Sequence, residues 1–204
     1  MKLLRRPLLA ATCLAAFALP AQAQNTIKIA GLYELSGAGA SAGTMFKNGV
    51  DMAVKEINEG GGILGKKLEH SSADTQTNPG VAKGLATKAI DDGAFAVFGP
   101  VFSGSIMVSM AETRKAEVPN FTGGEAAGIT TQGNPYIFRT SFTQATAMPK
   151  VARYMAGKMG AKNVAVMFVN NDFGKGGRDA ITKALAEAGA KVVADISTDQ
   201  GQVD

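Results

Sequence analysis

The chain has 204 residues, a formal net charge of +4, one cysteine, one histidine and no tryptophan. So few His and Cys side chains exclude most transition-metal sites, which need clustered ligands, and no Asp-rich calcium loop is present, so neither metal nor cofactor is expected. Lys2, Arg5 and Arg6 supply three of the cations, and setting them aside lowers the charge from +4 to +1; the basic balance is therefore no argument for a nucleic-acid partner.

Those three cations form the positive start of a secretory signal. Residues 8–19 are an apolar stretch too short to span a bilayer, and Ala21-Gln22-Ala23 is a small-residue cleavage site. Residues 1–23 are read as the signal, with the mature chain starting at Gln24. Cys13 leaves with it, so the exported part relies on core packing without disulfides and carries no membrane span.

An apolar run at residues 27–33 predicts a buried strand, followed by a small-residue loop at 34–43. The next helix shows a stripe at Phe46, Val50, Ala53 and Ile57 and stops in Gly60-Gly61-Gly62, where a φ > 0 turn is expected. A strand at 67–72 precedes a helix with Asn78 as N-cap and Pro79 in its first position, running to about Asp91. A strand at 95–98 ends at Gly99-Pro100, a helix runs from Ser103 or Ser105 to Ala116, and a strand at 118–122 ends at Gly123-Gly124. Residues 130–135 read as a surface turn and 136–140 as a strand. A helix at 144–160, a strand at 164–169, a helix at 174–189 and a strand at 191–196 complete the series.

Strands alternating with helices predict an α/β fold with doubly wound parallel sheets. The unbroken run Val164-Ala165-Val166-Met167-Phe168-Val169 fits a strand covered on both faces. Ligands in such folds sit at the carboxyl ends of strands, where strand order reverses. Four strand ends are rich in small or polar residues: 35–43, 99–105, 122–128 and 170–174. A change of lobe is expected just after Thr140, giving a first lobe at 24–141 and a second at 142–204. Two helices and two strands make a thin second core, so the second lobe is read as incomplete and the chain as the front part of a longer protein, the alternative being a small, complete three-layer domain with a loose tail.

Several short motifs invite enzymatic readings. Gly39-Ala40-Ser41-Ala42-Gly43 matches G-x-S-x-G between a strand and a helix, which would make Ser41 the nucleophile of a secreted serine hydrolase. That chemistry needs a late histidine, whereas His70 follows on the next strand and reads as an ordinary strand residue. Residues 37–43 miss the dinucleotide pattern G-x-G-x-x-G by one position. Residues 60–67 follow a helix and lack the Ser or Thr of a phosphate loop, so they form a turn. Asp172-Phe173-Gly174 imitates a kinase triplet without the kinase's other parts. Ser103-Gly104-Ser105 has a different value: hydroxyls and free N–H groups at a helix start can hold a carboxylate.

The segments IKIAGLYELSG, KEINEGGGILGKKLE, SSADTQTNP, FGPVFSGSIM, PYIFRTSFTQ and VAVMFVNNDFGKGG together resemble the leucine-binding type of periplasmic substrate-binding protein of ABC importers. The resemblance covers nearly all of the mature chain. It implies the type I periplasmic binding protein fold, two lobes closing on a ligand, periplasmic location, delivery to permease subunits and no catalysis; a sensing receptor of the same fold is an alternative. It places the Ser103 hydroxyl, beside Gly104, on a ligand carboxylate, with a backbone N–H of Gly124 or Ala126 alongside. It also implies departures. Ala126 stands where amino-acid binders use a threonine, Ala42 where an aromatic closes over the ligand, and Gln144 where an aspartate is frequent. Phe173 keeps the aromatic of the second lobe. A small carboxylate ligand is expected, either an aliphatic amino acid or an aromatic acid or amide.

Overall fold

The structure is a computed structural model that describes residues 26–203. The expected signal at 1–23, its expected cleavage site and Gln24 lie outside the described residues. Strand β1 (Thr26–Tyr33) leads through a single 3-10 turn (Gly37–Gly39) into α1 (Ala40–Glu59). Strand β2 (Lys67–Asp74), α2 (Pro79–Asp91), β3 (Ala96–Phe98), α3 (Ser103–Lys115) and β4 (Asn120–Thr122) follow. A four-residue helix α4 (Gly128–Thr131) and β5 (Ile137–Arg139) complete the first sheet, whose order is β2-β1-β3-β4-β5, all parallel. The chain steps from β1 to β2 on one side and returns to β3 on the other. The order therefore reverses at β1/β3, and the crevice opens above their carboxyl ends.

The second sheet pairs β6 (Asn163–Val169) with β7 (Lys191–Thr198), again parallel. It packs with α5 (Gln144–Arg153), which runs on into a π-helical turn (Tyr154–Lys158), and with α6 (Asp172–Glu187). Local chemistry sets the helix starts. The Asn78 side chain accepts from Gly80 and Val81 N–H with Pro79 at the first position, Thr143 accepts from Ala145 N–H, and Asn171 accepts from Gly174 N–H. At the end of α1 the chain turns through positive φ at Gly61 and Gly62, as a glycine stop requires.

Two core clusters hold the first sheet. Ala30, Leu32 and Val97 face Ala86 and Ala89 of α2 on one side, and Ile106, Met110, Ala126, Ile129 and Ile137 close the β4–β5 end. The segment expected as a surface turn thus begins inside α4, because Ile129 is fully buried. On the other face Tyr33 meets Phe46 edge-on, and Phe98, Phe121 and Phe138 stack in a row across β3, β4 and β5.

Two expectations change. The inward face of α1 is Gly43, Phe46, Val50, Val54 and Asn58, while Ala53 and Ile57 are exposed. The reason is polar: the Asn58 amide donates to Leu68 C=O and accepts from Leu68 N–H, and this pair of hydrogen bonds to β2 sets the helix rotation. The second sheet is covered on one face only among the described residues. Ala152, Val164, Ile181, Ala184 and Leu185 pack between the sheet and α5/α6, whereas Met167 is 69% exposed and Val193 62% exposed. Both helices pack on the same side of this sheet, which leaves Met167 and Val193 on the other.

Candidate functional site

The site is assembled from strand ends. Glu34, at the end of β1, is fully buried, and its carboxylate accepts from Val101 N–H at 3.1 Å and Phe102 N–H at 3.0 Å. These bonds tie the loop after β1 to the loop after β3, one residue before α3 begins. Burial pushes the Glu34 carboxyl up from its ordinary value, and the two backbone N–H groups oppose that shift. Further ties come from β4, where the Asn120 amide donates to Gly99 C=O and the Thr122 hydroxyl to Pro100 C=O, both at 2.6 Å. The start of α3 is thus held from two neighbouring strands.

Helix α1 reaches this junction because it begins in glycine. A Cβ at Gly43 would lie 2.1 Å from the Glu34 carbonyl oxygen, and one at Gly39 would lie 2.8 Å from both Glu34 Cβ and the Phe102 ring. The G-x-S-x-G match is therefore a packing requirement, with Ser41 exposed in the first turn of α1. The same device recurs in the second unit, where a Cβ at Gly174 would lie 1.9 Å from Val169 C=O. That accounts for the glycine of Asp172-Phe173-Gly174.

His70 is engaged elsewhere. Its Nδ1 lies 2.9 Å from Asp51 Oδ1 and its Nε2 3.0 Å from the Tyr33 hydroxyl. Lys47, by hydrogen bond, holds the Asp51 carboxyl below its usual value, so it can only accept. Nδ1 therefore carries the proton, and Nε2 of the neutral ring accepts from Tyr33. Burial lowers the His70 pKa despite Asp51, and burial raises that of Tyr33. This network braces α1 against β1 and β2 and leaves Ser41 without a base.

Between the two units lies a cavity of about 410 Å³, lined by Ala38, Ala42, Val101, Phe102, Ser103, Gly123 and Glu125 from the first and Val169, Asn171, Phe173 and Gln200 from the second. Its walls are largely apolar, with a few polar groups in place to orient a ligand. Ser103, 2% exposed, accepts from Ala126 N–H at 3.3 Å and keeps its own hydroxyl hydrogen to donate. Ile106 is the first α3 residue whose N–H finds an acceptor within the helix, Phe102 C=O, so the N–H groups of the first turn remain for an anion.

Of the residues singled out from sequence, Ala42, Ser103 and Phe173 line this cavity together. Gly124 and Ala126 lie just behind it, their carbonyls both taking hydrogen bonds from Arg139, and a Cβ at Gly124 would lie 2.2 Å from Ile106 Cδ1. Gly104 faces the second unit, its Cβ position 3.8 Å from Asp172 Oδ2. Gln144 lies outside the cavity lining: it is 2% exposed, donates to Phe173 C=O at 2.8 Å, and borders a separate groove within the second unit. Its contact holds the backbone of Phe173. Sequence reading missed Glu34 and Glu125. A charged residue closing an apolar strand was the available signal for Glu34, and a carboxylate between Gly124 and Ala126 was the signal for Glu125.

Among the described residues there is no cluster of His, Cys, Asp or Glu able to hold a metal, and no helix is long and apolar enough to cross a membrane.

The leucine-, isoleucine-, valine-, threonine- and alanine-binding protein of Pseudomonas aeruginosa is 32% identical over 186 residues, 91% of this chain and 50% of the relative. The structure of the branched-chain amino acid transporter substrate binding protein LivJ from Streptococcus pneumoniae, in complex with isoleucine, matches with a TM-score of 0.78 at 32% identity, covering 88% of this chain and 51% of that one. An R. palustris ABC-transporter solute binding protein in complex with benzoate matches with a TM-score of 0.79 at 25% identity, over 88% of this chain and 50% of that one. The chain thus spans about half the length of the relatives it matches. These relatives are solute-binding proteins and not enzymes. Residues 26–204 match the family model described as periplasmic binding protein, and with the two parallel sheets and the cavity between them this chain belongs to that family.

Proposed function

We propose that this chain belongs to the periplasmic solute-binding component of an ABC importer. It captures a small carboxylate ligand, a branched-chain or other amino acid or an aromatic acid or amide, and delivers it to membrane permease subunits. The lobes are residues 24–141 and 142–204, and the ligand's place is the cavity between them. The observation that carries this reading is the pairing of the Ser103 hydroxyl and the first turn of α3 with the apolar wall made by Ala42, Val101, Phe102 and Phe173. A helix start and a hydroxyl suit a carboxylate. An apolar wall suits an alkyl or aryl group, and alanine at position 42 leaves room for a bulky one.

Calorimetry on the protein expressed from its native gene, against a panel of aliphatic amino acids, aromatic acids and amides, tests the reading. Heat with at least one carboxylate is expected, and none with any carboxylate overturns it. Export is tested separately: the N-terminus of the periplasmic product is expected at Gln24, and retention of residues 1–23 refutes a cleaved signal.

A further inference from the structure

The cavity holds one charged side chain that nothing among the described residues neutralises by contact. Glu125 lines the wall on the loop after β4, beside Gly123, and its carboxylate makes no hydrogen bond or ion pair among the described residues. Its backbone is fixed, because Glu125 C=O accepts from Gln144 N–H at 3.0 Å and the carbonyls of its neighbours Gly124 and Ala126 are held by Arg139. Arg139 is the nearby cation, yet its guanidinium is committed to those two carbonyls and to the Thr130 hydroxyl. A partnerless carboxylate in a largely apolar cavity repels a second anion and is stabilised by a cation brought by the ligand.

We infer that Glu125 selects for ligands that carry an ammonium group next to their carboxylate, pairing that ammonium while the carboxylate lies at Ser103 and the start of α3. This rests on the reading of the cavity as a solute cleft. A plain acid would set its single charge near Glu125 and bring no cation to pair with that carboxylate. A zwitterion supplies both the anion for the helix start and the cation for Glu125. Burial raises the Glu125 carboxyl, with the Arg139 charge opposing, and an adjacent ammonium would draw it back down.

The test uses matched ligands on the protein from its native gene: L-leucine with 4-methylpentanoate, and L-phenylalanine with 3-phenylpropanoate, each pair differing only in the amine. Calorimetry is run on wild type, Glu125→Gln and Ser103→Ala, with melting curves confirming that each variant folds. Wild type is expected to bind an amino acid more tightly than its des-amino counterpart. Glu125→Gln is expected to weaken the amino acid by about 10- to 100-fold, the range for a hydrogen bond to a charged group, and to leave the des-amino acid unchanged or tighter. Equal effects of Glu125→Gln on both members of a pair, or no effect on either, overturn the assignment. Tighter wild-type binding of the des-amino acids, weakened by Ser103→Ala, overturns it while sparing the solute-binding reading. No binding of these four or of any other carboxylate overturns both.

Discussion

Replacing Gly43 by alanine puts a methyl group into the backbone of Glu34. The added Cβ would sit 2.1 Å from the Glu34 carbonyl oxygen, 2.6 Å from its nitrogen and 2.7 Å from its carbonyl carbon. A relaxed carbon–oxygen contact is about 3.3 Å or more, so helix and strand must part by about 1 Å. Glu34 cannot retreat freely, because its carboxylate holds Val101 and Phe102. Overpacking of this kind costs about 3 kcal/mol at the upper end of its usual range, and the better helix propensity of alanine returns about 1 kcal/mol. The net loss of about 2 kcal/mol lowers the melting temperature by roughly 4–8 °C in a protein of this size. Gly49 provides the control within α1, since a Cβ there meets nothing within 4 Å. Gly49→Ala is expected to raise the melting temperature by about 2–4 °C from propensity alone. Thermal melts followed by far-UV circular dichroism read both. If Gly43→Ala melts at or above wild type, the packing account of the G-x-S-x-G segment is wrong.

Glu34→Ala removes two hydrogen bonds to a charged acceptor but also relieves a buried carboxylate, for a net loss of about 2–4 kcal/mol in urea unfolding; a loss under about 1 kcal/mol would show that the junction is held by other contacts. Asp74 accepts from the Ser36 hydroxyl and from the N–H groups of Leu35, Ser36 and Gln76, and its pKa is lowered chiefly by the Ser36 bond. A depressed native pKa means stability that is present above the unfolded value of 3.8 and lost as pH falls through the native value. Asp74→Asn is therefore expected to melt below wild type at neutral pH, with the gap closing in strong acid; a pH-independent gap contradicts the charge argument. Ser103→Ala is expected to weaken carboxylate binding by about 1.5–3 kcal/mol by calorimetry, the range for a hydrogen bond to a charged group, and unchanged affinity removes that hydroxyl from the site.

Much of the fold was legible because it is local. Asn78-Pro79 marks a helix start by side-chain capping and a fixed φ, and Gly60-Gly61-Gly62 marks a helix end by positive φ. Neither depends on distant residues. The rotation of α1 was not legible, because Asn58 sets it through bonds to Leu68 on another strand. An apolar stripe is the default cue for an inward face, and a buried amide can override it. The candidate site was legible in part. Ser103 stood out as a hydroxyl at a helix start, and Ala42 and Phe173 came from the family resemblance. Glu34 escaped notice because its partners, Val101 and Phe102, are more than sixty residues away. Gln144 was read as facing a ligand, whereas its amide nitrogen donates to Phe173 C=O and the side chain lies outside the cavity lining.

The sequence by itself determined the alternation of strands and helices, the parallel class and the family, since periodicity, caps and motif segments are written within short stretches of chain. Only the tertiary structure decided which residues share a wall. The order β2-β1-β3-β4-β5 brings the loops after β1, β3 and β4 to one edge, and α6 faces them from the second unit. Ala42, Ser103, Glu125 and Phe173 meet across that gap although they are far apart in the chain. Parallel strands must return over long crossovers, so neighbours at a strand end are seldom neighbours in sequence. Ser41 and Glu125 thus changed places in importance: the serine inside a motif is a solvated helix residue, and the unremarked glutamate stands in the cavity without a hydrogen-bond or ion-pair partner among the described residues.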